Sequence, residues 1–285
     1  MESVFINGLG LIGSSIARII KATRPDVIVM GNDINPQNTA FMVEHHLLDQ
    51  QTSFEAGSQK ADCIILATPV DIIINSLEAL KYLKLKPNAL VTDVGSSKRM
   101  ILNAADDFIN SGGTFLGGHP MAGSHLTGSA NGSVNMLADH TYFLVNGNAT
   151  KNQVNQFKAL LGSGEFNFQL VTPDQHDQIV SAISYLPHAI AFTLMNTISP
   201  ELKALNVDPS VPAGGLLDTT RIAMSDSKMW TSIMNSSGDD LIQQIELFEK
   251  NLKALKTAIK RHDNDAMKRS ITMAQRARQE MEDAK

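Results

Sequence analysis

A histidine at the end of a strand is well placed to accept a proton from a bound substrate at neutral pH. His119 has this position, because it follows the predicted strand TFLGG and begins the segment HPMAGSH, which closes with His125. Ligands of open α/β sheets bind beyond the carboxyl ends of strands, and Pro120 restricts the backbone at this point. The residues alone leave two interpretations of His119 open, a proton acceptor or a histidine that hydrogen-bonds the loop backbone.

Three further side chains have types and contexts that could serve the same chemistry. Ser96, in TDVGSSK, ends the preceding strand and could hydrogen-bond His119 or a cofactor, or cap the next helix. His188 lies on an apolar helix in SYLPHAIAF, where a lone histidine is more often a core residue than a ligand. Arg221 lies in the fairly apolar run DTTRIAMSDSKMW and needs an anion, either a structural carboxylate such as Asp218 or a substrate carboxylate. The residues alone favour the structural pairing.

No metal site is predicted from the histidines. His119 and His125 are six residues apart and have no clear cysteine or carboxylate partners at metal-ligand spacing. His140 and His176 have no supporting motif, and His45, His46 and His262 lie in polar contexts. The sequence also contains no hydrolase nucleophile motif and no Walker loop.

The segment NGLGLIGSSIA predicts a dinucleotide-binding turn. It contains Gly8, Gly10 and Gly13 in the pattern GxGxxG, directly after the strand SVFIN and at the start of a helix. Glycines let the backbone N–H groups approach a pyrophosphate, and the helix N-terminus favours negative charge. Asp33 lies 20 residues beyond Gly13, at the end of the second strand, where a carboxylate accepts hydrogen bonds from an adenosine ribose. The alternative is a tight strand–helix turn without a ligand. The combination of strand, glycines, helix and Asp33 favours the dinucleotide site over this alternative.

The predicted cofactor is NAD. A carboxylate at Asp33 repels a 2′-phosphate, and the following residues DINPQN contain no arginine or lysine to hold one. The predicted cofactor-binding set is completed by residues of the first helical turn and of the segment ILATPV: Leu11, Ile12, Thr68 and Pro69.

The order of apolar segments predicts an α/β Rossmann-type domain followed by an all-α C-terminal domain. Over residues 1–172, seven short apolar runs read as strands, and helical patterns separate the early ones. After about Pro173 no convincing strand follows. We therefore expect an NAD-binding domain over residues 1–172 and a helical domain for substrate binding and dimerisation over residues 173–285.

One helix of the C-terminal part has an apolar seam with spacings of four and three residues. Its members are Leu241, Ile245, Phe248, Leu252, Leu255 and Ile259. This pattern is compatible with ordinary packing inside the helical domain or with a dimer contact. We favour partial involvement in a homodimer.

Composition excludes several classes of protein. Of the 285 residues, 43% are hydrophobic and 19% charged, which is enough for a full core. The net charge of −5 argues against a nucleic-acid partner. Cys63 is the single cysteine, so no internal disulfide forms, and no signal peptide or apolar run of membrane-spanning length is expected. These features predict a cytoplasmic protein without a membrane partner.

Taken together, the motifs resemble those of the prephenate dehydrogenases. The matching segments are GLGLIGSSIA, ILATPV, TDVGSSK, GGHPMAGS, SYLPHAIAF and DTTRIAMSDSKMW, in family order over about the first 230 residues. The glycine-rich segment is generic, whereas the later three are far more specific. The resemblance implies that prephenate and NAD give 4-hydroxyphenylpyruvate, CO2 and NADH, a reaction of tyrosine biosynthesis.

The resemblance also implies roles for individual residues. His119 would take the proton of the substrate hydroxyl, and Ser96 would orient His119 and contact the hydroxyl or the nicotinamide. His188 and Arg221 would hold the substrate from the helical domain, with Arg221 pairing with a carboxylate. The backbone near Gly214 would help to bind the pyruvyl side chain.

Two positions depart from the common family pattern. Many members have glutamate where this sequence has His125, and histidine where it has Tyr185. Both positions are expected near the substrate pocket, so we predict that His125 contacts substrate and that prephenate is preferred over arogenate, its transaminated relative. Asp177 and Trp230 match family positions as well and are interpreted as supporting structure.

Three rival functions are kept. The nearest is an arogenate dehydrogenase or a cyclohexadienyl dehydrogenase of broad specificity. A β-hydroxyacid dehydrogenase would use a catalytic lysine, but Lys203 and Lys228 lack that family's motif. A non-enzymatic NAD-sensing protein would bind NAD without turnover and would need no acid–base group.

Overall fold

The computed structural model describes residues 1–123, 126–212 and 214–284. Of Lys228 it describes the backbone only. The chain divides into two compact units, Met1–Ser237 and Gly238–Lys285. The first unit contains the sheet together with the helices that follow it up to residue 237. The predicted domain boundary near residue 172 stays a prediction.

The first unit is built on one parallel-dominated sheet, which confirms the predicted α/β class. In the described residues it has eight strands in the order β3-β2-β1-β4-β5-β6-β7-β8. Only the β6–β7 pair is antiparallel. The strands are β1 Ser3–Asn7, β2 Ile28–Asn32, β3 Gln50–Gln51, β4 Cys63–Leu66, β5 Leu90–Asp93, β6 Thr114–Pro120, β7 Thr141–Asn146 and β8 Asn167–Leu170. All seven predicted strands are present, whereas β3, two exposed glutamines, has no apolar signal and was not predicted.

Helices connect the strands and then replace them. The helices of the sheet region are α1 Leu11–Thr23, α2 Pro36–Glu44, α3 Phe54–Lys60, α4 Val70–Leu80, α5 Lys98–Asn110, α6 Val134–Leu137 and α7 Lys151–Leu160. The later helices of the first unit are α8 Pro173–Val180, α9 Leu186–Ala204, α10 Gly214–Thr220 and α11 Ser227–Ser236. A π-helical segment, Ser181–Tyr185, joins α8 to α9, and a 3₁₀ segment, Arg221–Met224, follows α10. The region after β8 is therefore helical, as predicted.

The core lies on both faces of the sheet because neighbouring strand residues point to opposite sides. In β1, Val4 and Ile6 belong to one apolar cluster and Phe5 to the other. In β4, Cys63 likewise faces the first cluster, where its thiol is buried and free, as predicted. Both clusters are closed by helices, which is the packing that makes parallel strands apolar along their whole length.

This topology brings the carboxyl ends of the central parallel strands to one edge of the sheet. The strand order reverses between β1 and β4, which is the point where doubly wound sheets bind nucleotides. β5 ends at Asp93 and β6 ends at Pro120 on the same edge, since the two strands are parallel neighbours. His119 lies in β6 opposite Phe143 of the antiparallel β7. The glycine-rich turn and His119 therefore belong to the same rim.

One expectation about apolar segments was wrong. The helical stretch Pro173–Ala204 is long and apolar enough to cross a membrane by length and composition, although only 22% of its most apolar window is buried. Core and interface helices of soluble proteins meet the same criterion. The stretch carries the histidine and tyrosine side chains described below.

The second unit consists of two helices, α12 Gly238–Lys260 and α13 Asn264–Asp283. The segment RHDNDAM ends the first helix as predicted, and the Asp263 carboxylate caps the second by accepting the Ala266 N–H at 2.9 Å. Several seam side chains of α12 remain open to solvent, including Leu252, which is 53% exposed. An apolar seam that stays exposed on a single chain is the pattern expected of an oligomer contact.

Candidate active site

The three glycines of the glycine-rich turn serve two different purposes. Gly8 has a φ of +94°, and a Cβ atom there would lie 2.5 Å from the Ala67 carbonyl oxygen. A Cβ atom at Gly13 would lie 1.9 Å from the Gly8 carbonyl oxygen. A Cβ atom at Gly10 would meet no described atom within 4 Å. Gly8 and Gly13 are therefore needed by the fold, whereas Gly10 leaves a space open beside the helix N-terminus.

Asp33 lies directly after β2, and its carboxylate holds the glycine-rich turn in place. One oxygen accepts the Leu9 N–H at 2.7 Å, and the other accepts the Asn35 N–H at 2.8 Å. Because each carboxylate oxygen has two lone pairs, both can accept a further hydrogen bond from a ribose hydroxyl. The sequence pattern indicated the ribose role of Asp33 but gave no signal for its bond to Leu9.

The other predicted cofactor-binding residues lie around the same turn. Leu11 and Ile12 form the first turn of α1, whose N–H groups have no carbonyl partner within the helix. Thr68 and Pro69 connect β4 to α4, and the Thr68 methyl group lies against Gly8. The buried Thr68 hydroxyl has no hydrogen-bond partner among the described residues. Free N–H groups, an open space and an unpaired hydroxyl together fit a dinucleotide.

His119 is held by a second histidine that the sequence analysis did not single out. Its Nδ1 atom lies 2.9 Å from Nε2 of His176, and Nδ1 of His176 lies 2.7 Å from Oδ1 of Asp177. His176 is fully buried and Asp177 nearly so. The only available signal was the pair His-Asp in α8, which becomes informative once α8 is known to pack beside β6.

This chain of hydrogen bonds determines where the protons of both imidazoles reside. A carboxylate only accepts, so His176 donates its Nδ1–H to Asp177 and keeps a lone pair on Nε2. That lone pair accepts the Nδ1–H of His119. Nε2 of His119 is then the unprotonated atom and can act as a base. The tautomers follow from the hydrogen-bond network rather than from observed hydrogens.

The surroundings of the two histidines favour their uncharged forms. Burial lowers the pKa of His119 well below its usual value, and the nearby His176 and the Lys98 cation lower it further. Burial also lowers the pKa of His176, against the opposing effect of its bond to Asp177. Burial would raise the pKa of Asp177, but the hydrogen bonds from His176, Lys98 and Arg99 outweigh it and the pKa is lowered. At neutral pH the chain is thus two neutral imidazoles and a carboxylate.

Asp177 also caps helix α5. Its two oxygens accept the backbone N–H groups of Lys98 at 2.8 Å and Arg99 at 3.0 Å, the first groups of the helix. Ser97 occupies the N-cap position but makes no capping hydrogen bond with its side chain in the described structure. The alternative interpretation of Ser96 as the helix cap is therefore wrong, because a carboxylate from α8 takes that function.

Ser96 lies in the loop between β5 and α5, partly exposed. Within the described residues its hydroxyl makes no hydrogen bond to His119, whose Nδ1 is already bonded to His176. The expected orientation of His119 by Ser96 is thus replaced by His176 and Asp177. The Ser96 hydroxyl remains available to a cofactor or a substrate.

Tyr185 anchors the backbone of that serine. Its hydroxyl donates to the Ser96 carbonyl at 2.5 Å, and its ring is buried with its edge against Trp230. Burial raises the pKa of Tyr185 to about 12, so the hydroxyl stays protonated and can donate. The position that departs from the family pattern therefore links the helical segment to the rim of the sheet.

His188 is stacked on Trp230, with ring centroids 3.7 Å apart. Its Nδ1–H donates to the Ser184 carbonyl at 2.8 Å, which leaves a lone pair on Nε2. Burial lowers the pKa of His188, and the neighbouring Arg221 cation lowers it further. His188 is thus partly buried, oriented by a hydrogen bond and close to a cation. The apolar sequence around it favoured a core residue, whereas these features suit a residue that binds a ligand.

Arg221 is exposed and makes no ion pair with any residue in the described part of the chain. The predicted structural pairing with Asp218 is therefore wrong. Gly214 begins α10, and a Cβ atom there would meet no described atom within 4 Å. His125 lies outside the described residues. No group of three metal-ligating side chains occurs within residues 1–123, 126–212 and 214–284.

Family models match most of the chain. One, described as the nucleotide-binding domain of prephenate dehydrogenase, matches residues 16–166, and one described as its dimerization domain matches residues 172–273. The prephenate dehydrogenase of Lactococcus lactis subsp. cremoris is 33% identical over 283 residues, which are 99% of this chain and 78% of the relative.

Solved structures agree with these matches. The prephenate dehydrogenase of A. aeolicus, crystallised with hydroxyphenyl propionate and NAD+, has a TM-score of 0.86 and 29% identity over 99% of this chain and 98% of its own. The arogenate dehydrogenase of Synechocystis has a TM-score of 0.83 and 26% identity, with 98% and 99% covered.

The two purposes of the glycines can be separated by a matched pair of substitutions. Gly13→Ala should destabilise the fold, because its methyl group would overlap the Gly8 carbonyl, and should lower Tm by several degrees. Gly10→Ala should leave Tm within about 2 °C of the unaltered protein and weaken NAD binding about tenfold or more. Thermal unfolding and NAD titration measure both effects. Equal loss of Tm in the two variants would contradict this assignment.

Proposed function

Because the chain belongs to the prephenate dehydrogenase family, we propose that it catalyses the NAD-dependent oxidative decarboxylation of prephenate to 4-hydroxyphenylpyruvate. The observation that carries this proposal is the unprotonated Nε2 of His119, held at the carboxyl end of β6 by His176 and Asp177. A base on the same rim as the dinucleotide turn is what the oxidation of a hydroxyl requires.

Bound NAD would supply the hydride acceptor, and the glycine-rich turn with Asp33 would hold it. The unprotonated Nε2 of His119 takes the proton of the ring hydroxyl as a hydride leaves the ring carbon that bears this hydroxyl. When the ring carboxylate departs as CO2, its bonding electrons pass to the ring oxygen, which takes a proton back. His119 thus serves as base and then as acid, with no net proton to dispose of.

The histidine pair is suited to hold that proton briefly. When His119 gains a proton it keeps its Nδ1–H bond to His176, whose own Nδ1–H faces the Asp177 carboxylate. The carboxylate stabilises the added charge and keeps both rings oriented. Burial lowers the pKa of His119, which favours return of the proton to the product.

The substrate is a dianion, and Arg221 is a cation without an ion-pair partner in the described residues. We assign Arg221 and His188 to the substrate carboxylates, with the open backbone at Gly214 beside the pyruvyl side chain. His125 is kept as a pocket residue on the basis of its sequence position. This assignment gives residues 1–172 the cofactor, the proposed base and His125, and gives residues 173–285 the contacts with the substrate carboxylates and the pyruvyl side chain.

NADH formation with prephenate tests the proposal directly. The unaltered protein should reduce NAD when prephenate is added. His119→Asn should lower kcat by roughly a thousandfold while leaving NAD binding nearly intact. Arg221→Ala should instead raise KM for prephenate about tenfold or more with a smaller change in kcat. NAD binding without turnover of prephenate or arogenate would contradict the proposal and indicate an NAD-sensing protein.

We further propose a preference for prephenate over arogenate. Arogenate carries an ammonium group, and a carboxylate in the pocket would favour it, whereas this sequence has His125 and Tyr185 at the departing positions. Tyr185 is buried and bonded to Ser96, so it offers no negative charge. The value of kcat/KM should be larger for prephenate. A larger value for arogenate would instead support the alternative, an arogenate or cyclohexadienyl dehydrogenase.

We propose a cytoplasmic homodimer without nucleic-acid or membrane partners. The dimerization-domain match and the exposed apolar side chains of α12 and α13 support it. Light scattering should give the mass of two chains. Leu252→Glu, which places a charge on the exposed seam, should lower the dimer fraction, whereas Lys250→Glu, on the other side of the same helix, should not. A monomeric unaltered protein would overturn this proposal.

A further inference from the structure

Lys98 is a fully buried lysine at the first position of a helix. Its side chain has no exposed surface, although lysine is rarely buried and a cation at a helix N-terminus is unfavourable. Its ammonium forms an ion pair with Asp93, which is equally buried. A pair of this kind contributes little net stability compared with apolar residues of the same size. Its presence under the candidate site therefore calls for another explanation.

Asp93 joins this ion pair to the loop that carries Ser96 and to the end of β6 that carries His119. One carboxylate oxygen accepts hydrogen bonds from the Lys98 ammonium and from the Gly95 N–H, the second at 2.7 Å. The other oxygen accepts the Gly118 N–H at 3.1 Å. Gly95 directly precedes Ser96, and Gly118 directly precedes His119. The ends of β5 and β6 are thus fixed to each other through one carboxylate.

A second path leads from Lys98 to His119 through α8. The Lys98 backbone N–H donates to Oδ1 of Asp177, the same oxygen that accepts from His176. Lys98 therefore reaches His119 by its backbone, through Asp177 and His176, and by its side chain, through Asp93 and Gly118. The two paths form a closed hydrogen-bonded ring that contains the proposed base.

We propose that Lys98 is a positioning residue of this reaction, whose buried ammonium holds Asp93 between the loop that carries Ser96 and the end of β6 that carries His119, and supplies a positive charge near the His119–His176 pair. The proposal rests on the proposed function of His119. It requires the charge of Lys98, whereas a purely structural role would require only a side chain that fills the space and bonds to Asp93.

The charged groups that face the histidine pair come from three elements. Asp93 ends β5, Lys98 and Arg99 begin α5, and Asp177 lies on α8. The β7 residue Phe143 contacts His176 through its ring edge and brings no charge. The carboxylates favour protonated imidazoles. The Lys98 cation, a member of the hydrogen-bonded ring described above, opposes this protonation. Loss of its charge should make protonation of His119 easier.

Lys98→Gln separates charge from hydrogen bonding, because the amide can still donate to Asp93. In the full-length protein, the acid limb of the pH profile of kcat/KM should move to higher pH by about one unit, since unprotonated His119 is the active form. At pH values below this limb, where most His119 is protonated, kcat/KM should be about tenfold lower than in the unaltered protein. The control Lys81→Met removes a lysine paired with Glu78 on α4 and should leave the profile unchanged.

The double variant Lys98→Met with Asp93→Asn leaves no uncompensated charge, so it tests the proposal should Lys98→Gln fail to fold. NMR titration of labelled histidine, with the His119 signal assigned from His119→Asn, measures the His119 pKa without turnover. A higher His119 pKa in Lys98→Gln than in the unaltered protein, or in the double variant than in Asp93→Asn alone, supports the proposal, because each comparison isolates the charge of Lys98. A folded variant with unchanged His119 pKa and unchanged pH profile overturns it. Failure of the proposed function would instead appear as absent turnover in the unaltered protein.

Discussion

The candidate site depends on the Asp177 carboxylate, which performs two tasks with two oxygens. It receives the first N–H groups of α5, and it receives the proton-bearing nitrogen of His176. The first task joins α8 to the loop that carries Ser96, and the second determines which nitrogen of His119 is basic. One carboxylate thus caps a helix and orients the histidine pair. The position of the proposed base therefore depends on how α5 and α8 pack together.

The sequence alone was sufficient for the architecture. Apolar runs of strand length alternating with helical patterns specify a parallel sheet, and the glycine pattern after β1 specifies its nucleotide-binding turn. His119 could be selected because it ends a strand, which is a local property. Strand β3 was not predicted because its two exposed glutamines have no periodic hydrophobic pattern. The stretch Pro173–Ala204 is more apolar than the sequence analysis expected.

The partners of His119 could not be read from the sequence because they are long-range contacts. His176 is 57 residues away and becomes its neighbour only through the packing of α8 beside β6. The fairly apolar sequence around Arg221 favoured a structural carboxylate such as Asp218 over a substrate carboxylate, whereas the side chain is exposed. Tyr185 could be recognised as a departure from a family pattern, but its bond to the Ser96 carbonyl depends on the three-dimensional path of the chain.

The π-helical segment Ser181–Tyr185 has a consequence for how this sequence can change. A π turn holds one residue more than an α turn and rotates less per residue, so it takes up one extra residue without turning the helix faces that follow. A residue added to or removed from regular α-helix would instead rotate every later side chain by roughly 100° about the helix axis. The chain can therefore lose one residue in this segment, by returning to regular α-helix, with His176 and His188 still on the faces that they now occupy. The same loss within α8 or α9 would not be absorbed in this way.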